Sequence, residues 1–150
     1  MNRQDLARWL REEHAMVAEL AEGIHQHIVL LPRLNLAGWL GELRHKFDRL
    51  RDHLTKHFEL EEDDGYLIPV LERRPTLTPE VDRLKREHVE LIRLMNLIAA
   101  ELAQVGPEDR VLAGDVRGRL EFLLLCLEDH ENRENLLVSC AVTMDLGNKD

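Results

Sequence analysis

Aromatic residues make up only 4% of this 150-residue chain, and five Pro and eight Gly leave long stretches without turn punctuation. A β-sandwich or barrel needs aromatic and β-branched strands with a turn roughly every 10 residues, so both shortages argue against one. At 44% hydrophobic the chain is also too apolar for a disordered segment. Basic residues are outnumbered, 20 against 29 acidic, for a net charge of -9. No cationic footprint for a nucleic-acid backbone or an anionic membrane surface is expected from that balance. Long apolar runs are missing too: Phe122 to Leu127 falls far short of the roughly 20 residues of a membrane span. The start, Met-Asn-Arg-Gln-Asp, enters an amphipathic pattern with no apolar leader, from which a cytoplasmic location is expected. Cys126 and Cys140 are fourteen residues apart on one predicted helix. That is about 21 Å along its axis and too far for a disulfide, so they read as small buried or half-buried thiols.

What the chain does have is apolar residues recurring in steps of four and three, the period of helices packed at shallow angles. One stripe runs Leu10, Val17, Ala21, Ile24, Ile28, Leu31 and ends at Pro32. A second runs Leu36, Leu40, Leu43, Phe47, Leu50, Leu54 and resumes at Ile68 and Leu71, with Gly65 and Pro69 weakening or kinking its last turns. Thr78-Pro79-Glu80 reads as a cap, a first-turn proline and a first-turn acid opening a third stripe, Val81, Leu84, Leu91, Met95, Ile98, Leu102, Val105. After Gly106-Pro107 a fourth carries Val116, Leu120, Leu123, Leu127, Leu137, Ala141 and Met144. The expectation is a single all-α domain over 1–150, an up-down-up-down antiparallel four-helix bundle. Its helices lie near 4–31, 35–72, 78–105 and 108–144, with a tail at 145–150. The oligomeric state is not encoded in these patterns.

The stripes are broken at His14, His57, Glu61, Asp64, His88, His130 and Glu134. An unpaired imidazole costs a few kcal/mol to bury and an unpaired carboxylate more, so these groups need one another or a cation. His57 with Glu61, and His130 with Glu134, are spaced i, i+4 and share a helical face. The arrangement repeats, because His14 precedes His57 by 43 residues and His88 precedes His130 by 42. Each half thus offers a His and then a His-x-x-x-Glu. Two metal ions bridged by two carboxylates, about 3.5 to 4 Å apart, require such a set. His25, His27 and His45 lack a partner spacing and are expected at or near the surface, and Trp9 and Trp39 at the edges of the core.

His14, His57-Phe-Glu-Leu-Glu61-Glu, Glu87-His88 and His130-Glu-Asn-Arg-Glu134 together resemble the hemerythrin-like, or HHE cation-binding, family over nearly the whole chain. The resemblance implies two iron ions with a bridging oxo or hydroxo group. His14, His57, His88 and His130 would be the terminal ligands and Glu61 and Glu134 the bridges. It also implies a small diatomic or peroxide ligand, while the charge balance leaves no nucleic acid and no membrane expected as partner. Zinc or manganese also suits such donors. Classical oxygen carriers of the family have a second His on the third helix, where this chain has Leu84 and Ile92 around His88. Their fourth helix ends in Asp at i+5, where this chain has Glu134 at i+4. His53, one turn before His57, and Tyr66, one turn after Glu62, are the candidates for an additional ligand; Asp64 is expected to orient one, and Glu62 is the rival of Glu61. The expected function is binding of, or response to, dioxygen, peroxide or nitric oxide. The alternatives are an enzyme that decomposes peroxide or oxidises iron, and a structural metal-binding interaction module. No catalytic residue is singled out. A ferritin-like pattern of Glu and Glu-x-x-His is absent from the stripes.

Overall fold

The computed structural model describes residues 3–63 and 66–147, with side chains over 5–63 and 66–141. Asp64, Gly65 and the side chain of Met144 lie outside that description. The helices are α1 (Arg3–Ile28), α2 (Leu36–Asp63), α3 (Leu67–Arg73), α4 (Thr78–Gln104) and α5 (Arg110–Gly147), with a 3₁₀ turn at Pro75–Leu77 before α4. No strand occurs among the described residues, and none of their helices is long and apolar enough to cross a membrane.

The four long helices form a ring in which α1 borders α2 and α5, and α4 borders the same two. Neighbours run antiparallel, as their cross-links show. His27 meets Trp39 while Glu13 meets His57. Arg44 reaches the carbonyl of Leu102 while Glu62 faces His88, and Glu101 pairs with Arg119 while Glu87 pairs with His130. The all-α four-helix bundle expected from the stripes is the architecture found.

The second stripe differs from expectation. In place of one helix to residue 72, α2 stops at Asp63 and α3 begins afresh at Leu67. A continuous helix would need Pro69 to donate to the carbonyl four residues earlier, and its ring would clash there. In α3, Pro69 sits in the first turn, where no such donor is required. The restart shifts the phase by one residue, so Leu67 and Val70 are buried and Ile68 is exposed. Thr78 likewise departs from its expected capping role: its hydroxyl donates to the Pro75 carbonyl at 2.6 Å, and α4 is entered through the 3₁₀ turn.

Asn35 opens α2 with φ 57, in the left-handed region, while its Oδ1 accepts from the Gly38 amide at 3.1 Å. Gly38 leaves the room, since a Cβ there would fall 2.5 Å from Asn35 Nδ2. Asn35→Ala therefore loses a cap and places Cβ in a strained conformation. A loss of about 2 kcal/mol is expected in a denaturant midpoint series on the protein. At the same end of the bundle Arg44 covers carbonyls at the C-terminus of α4, Leu102 at 2.7 Å and the following Val105 at 3.0 Å.

The apolar core is in two pieces. The larger holds Val17, Leu54, Phe58, Leu91 and Leu127 and everything beyond them toward the Asn35 end. The smaller holds Leu10, Tyr66, Leu67, Val70, Val81, Leu84, Leu137, Val138 and Ala141. Between them lies a layer of buried polar side chains.

Candidate metal centre

That layer is made of His14, His57, Glu61, His88, His130 and Glu134, the buried polar residues among those described. The long helices contribute a pair from α2, a pair from α5 and one His each from α1 and α4. The i, i+4 spacing sets each pair on one inward face, so His57 Nε2 meets Glu61 Oε1 and His130 Nε2 meets Glu134 Oε1. Across the bundle His88 Nε2 lies 3.0 Å from Glu61 Oε2 and 3.3 Å from Glu134 Oε1, and His14 Nε2 lies 3.1 Å from Glu134 Oε2. Two groups of potential ligand atoms result, each within 4.8 Å: His14, His57, Glu61 and Glu134, and then Glu61, His88, His130 and Glu134. Both carboxylates belong to both groups.

Three of the four imidazoles are held from behind. His57 Nδ1 donates to Glu13 at 3.0 Å, His130 Nδ1 to Glu87 at 2.8 Å and His14 Nδ1 to Asn135 at 3.0 Å. His88 Nδ1 faces Glu62 at 3.4 Å. Such outer partners fix the tautomer, leave the Nε2 lone pairs pointing inward and raise their basicity. The two outer carboxylates have different further partners: Glu13 also faces His53 at 3.1 Å, whereas Glu87 takes Arg133 at 2.8 Å and Arg83 at 3.4 Å. Rings complete the walls, Trp9 stacked on His57 at 5.6 Å and Phe58 on His88 at 4.1 Å.

Protons alone do not satisfy this layer. Glu61 Oε1 and Oε2 and His130 Nε2 are buried with no aligned hydrogen bond despite their close neighbours. Burial, with Glu134 alongside, pushes the Glu61 carboxyl up to about 9. Glu134 is held well below the carboxylate range, because hydrogen bonds from His130, His14 and His88 outweigh its burial. Burial lowers all four imidazoles; Glu134 reverses this for His14, His88 and His130, while His57 stays lowered. Lone pairs of two buried carboxylates and four oriented imidazoles thus converge, and dications fit that donor set.

The metal-free protein should accordingly lose stability as pH rises. Glu61 keeps in the fold a proton that the unfolded chain releases from about pH 4.5, and surrenders it only near 9. The raised His14, His88 and His130 stabilise below 6.5 and lose that contribution as pH climbs through their shifted values. Glu134 and His57 act the other way, but on the acid side, below 4.5 and 6.5 respectively. Melting temperatures of chelated protein should fall between pH 6.5 and 9. A flat or rising series there contradicts the charge states assigned to the layer.

The remaining sequence candidates divide. His53 is part-exposed and touches Glu13, outside both ligand groups. Tyr66 is fully buried; its ring belongs to the smaller core and its hydroxyl, with no well-aligned hydrogen bond, lies within the influence of Glu134 and Glu61. Burial and those two carboxylates raise the phenol well above its ordinary value. Glu62 stands outside, behind His88, and Asp64 lies outside the described residues. His25 and His45 are exposed, and of the two thiols Cys126 is half-buried as expected while Cys140, on an outward position of α5, is exposed instead. His27 is half-buried, its ring stacked on Trp39 at 5.2 Å and bonded to that residue's carbonyl at 2.9 Å. Sequence reasoning passed over Glu13 and Asn135 and gave no role to Glu87 and Phe58, although both stand in its motifs. It also missed Glu131, which burial pushes up to about 7 at the inner end of an open groove of about 570 Å³ between α1 and α5. Val17, Ala18, Ala21 and Leu124 form the groove's apolar walls.

No curated protein and no solved structure matches the chain. The hemerythrin HHE cation-binding domain matches residues 5–141. The chain therefore belongs to the hemerythrin HHE cation-binding family, and its buried His and Glu groups are a candidate metal site of the kind that name describes.

Proposed function

We propose that the chain is one hemerythrin-like domain holding two iron ions, and that it binds or responds to dioxygen, peroxide or nitric oxide. One observation carries the reading: the two groups of ligand atoms share Glu61 and Glu134, so each ion would have two imidazoles and two bridging carboxylates. His14 and His57 would hold one ion, His88 and His130 the other. Iron so held can exchange one electron per ion with a small oxidant.

The chain's own contribution is to orient and to exclude water. Glu13, Glu87 and Asn135 fix three imidazoles, the two apolar clusters keep bulk water off the layer, and the groove between α1 and α5 supports access for a small molecule at Glu131. The donor set also favours a second reading, an enzyme that consumes peroxide. The α4 positions one turn either side of His88 are Leu84 and Ile92, so the protein supplies four nitrogens in the two groups and leaves coordination open.

Anaerobic reduction of the iron-loaded protein, admission of oxygen and its withdrawal, followed by absorption, tests both. The expected outcome is a lasting oxidation. Full recovery of the reduced spectrum identifies a reversible carrier instead, and rapid peroxide consumption lost in His57→Ala identifies the enzyme. A spectrum indifferent to oxygen, peroxide and nitric oxide leaves only a structural metal site.

A further inference from the structure

α1 and α5 do not close on each other along their whole length. The groove of about 570 Å³ between them has Ala18, Ala21 and Glu22 on its α1 wall and Leu124, Glu128 and Glu131 on its α5 wall. Its depth follows from the sequence, because α1 places alanine at 18 and 21, where a longer side chain would fill the space. The α5 wall extends from Glu121 to Glu131, a rise of about 15 Å along the helix.

The formally charged residues lining this groove are all acidic: Glu22, Glu121, Glu128 and Glu131, with His25 beside them and no Lys or Arg. The contact of His14 with Asn135 fixes the antiparallel register of the two helices, and that register sets Glu22 and Glu128 at nearly the same height on opposite walls, both exposed. Glu121 has Arg117 3.7 Å away on its own helix, and Glu22 has Gln26 at 3.2 Å. Glu131 is half-buried, and its Oε1 is buried without a hydrogen-bond partner. A buried carboxylate oxygen with no donor is destabilising, and the groove is the side from which a donor can reach it.

Size and spacing select the donor. About 570 Å³ distributed along about 15 Å leaves a mean cross-section near 40 Å², whereas a helix 10–12 Å in diameter needs about 80–110 Å². A single methylene chain fits where a peptide helix does not. A divalent metal ion is a poor match as well, since it takes about six oxygens at once and the floor between the acids is Ala18, Ala21 and Leu124. Glu128 and Glu131 are three residues apart on one helix, which puts their Cβ atoms about 5–6 Å from each other. Two ammonium groups joined by three or four methylenes reproduce that separation.

We propose that the α1–α5 groove binds a linear aliphatic polyamine, with one ammonium on Glu131, the next between Glu22 and Glu128, and the methylenes along Ala18, Ala21 and Leu124. The site goes beyond the buried His and Glu layer and does not depend on which ion that layer holds.

Spermidine, with three and four methylenes between its nitrogens, is the probe. It is titrated calorimetrically into the metal-loaded protein at constant ionic strength and about pH 8, above the value of about 7 to which burial pushes Glu131. One saturable site per chain is expected. Its Kd should rise roughly ten-fold in Glu131→Gln and by a similar factor in the Glu22→Gln, Glu128→Gln double variant. Ala18→Leu, which fills the floor without touching a charge, should abolish binding, and Glu80→Gln, an exposed acid on α4, should leave it unchanged. Metal content and melting are measured in every variant. The double variant and Ala18→Leu, at exposed positions outside both ligand groups, decide the matter where Glu131→Gln alters either.

Absence of a saturable site overturns the proposal, as does an equal loss in Glu80→Gln. Hexylamine binding as tightly as spermidine would make the groove a slot for one ammonium and its tail, and displacement by equimolar magnesium would make it an acidic surface only; both overturn it. So does a wild-type dimer in sedimentation that Ala18→Leu dissociates, which gives the groove to a second copy, or a basic amphipathic peptide that binds there more tightly than spermidine.

Discussion

Glu134→Ala should bring the metal content of the fully loaded protein from two ions per chain to fewer than one. Glu134 meets His14, His88 and His130, from three helices, and belongs to both groups of ligand atoms. Its loss removes an oxygen from each ion and half of the negative charge that screens one cation from the other. Glu61→Ala should behave alike, since Glu61 meets His57 and His88 and is shared in the same way. His14→Ala removes one nitrogen from one group and should retain an ion at the other. The ranking carries the claim, and metal analysis after loading and desalting measures it. Two ions in either Glu variant, or equal losses in Glu134→Ala and His14→Ala, would refute the shared-carboxylate arrangement.

Stripping the metal should lower the melting temperature by on the order of 10 °C without abolishing the helices. A ligand at about a thousand times its Kd adds roughly 4 kcal/mol to the folded state, and each kcal/mol moves a domain of this size by about 2–4 °C. The bundle survives because the apolar clusters on either side of the layer, one built around Phe47, Leu50, Met95 and Leu120 and the other around Tyr66 and Leu84, do not depend on the ions. Small zinc-dependent domains lack such a reserve. A random-coil circular dichroism spectrum for the chelated protein, or superimposable melts with and without metal, would count against this.

The bundle and its six inward polar residues were legible in the sequence because both follow from one period. A residue on a four-three stripe faces the core whatever its chemistry, so His and Glu on the stripe were identifiable as buried before any contact was known. The division of the second stripe into α2 and α3 was only half legible. Gly65 and Pro69 warned of weakness, but the one-residue change of phase that buries Leu67 in place of Ile68 depends on how the chain re-enters the bundle. Helical spacing also left His53 and Tyr66 undivided. Tertiary packing separated them, placing His53 against Glu13 and Tyr66 against the inner carboxylates. Glu13 and Glu87 went unread although a signal was present. Each directly precedes an inward His, and a residue one step along a helix lies about 100° round it, facing the neighbouring helix. They stand 44 and 43 residues from the histidines they support.

Those two Glu-His dipeptides bear on which changes of length the chain can absorb. Glu13 orients His57 on α2 while its neighbour His14 enters the layer from α1; Glu87 orients His130 on α5 while His88 enters from α4. One inserted or deleted residue inside α1 or α4, on the side that rotates the dipeptide against its core stripe, turns it by about 100° and removes two parts of the site at once: an imidazole from its own helix and the support of another across the interface. The turns at 29–35 and 105–109 lie outside the helices and leave both dipeptides in phase when their length changes. Single-codon insertions scanned along the chain should therefore spare metal binding in those two turns and abolish it between His14 and Val17 or between His88 and Leu91, which separate each dipeptide from most of its buried stripe.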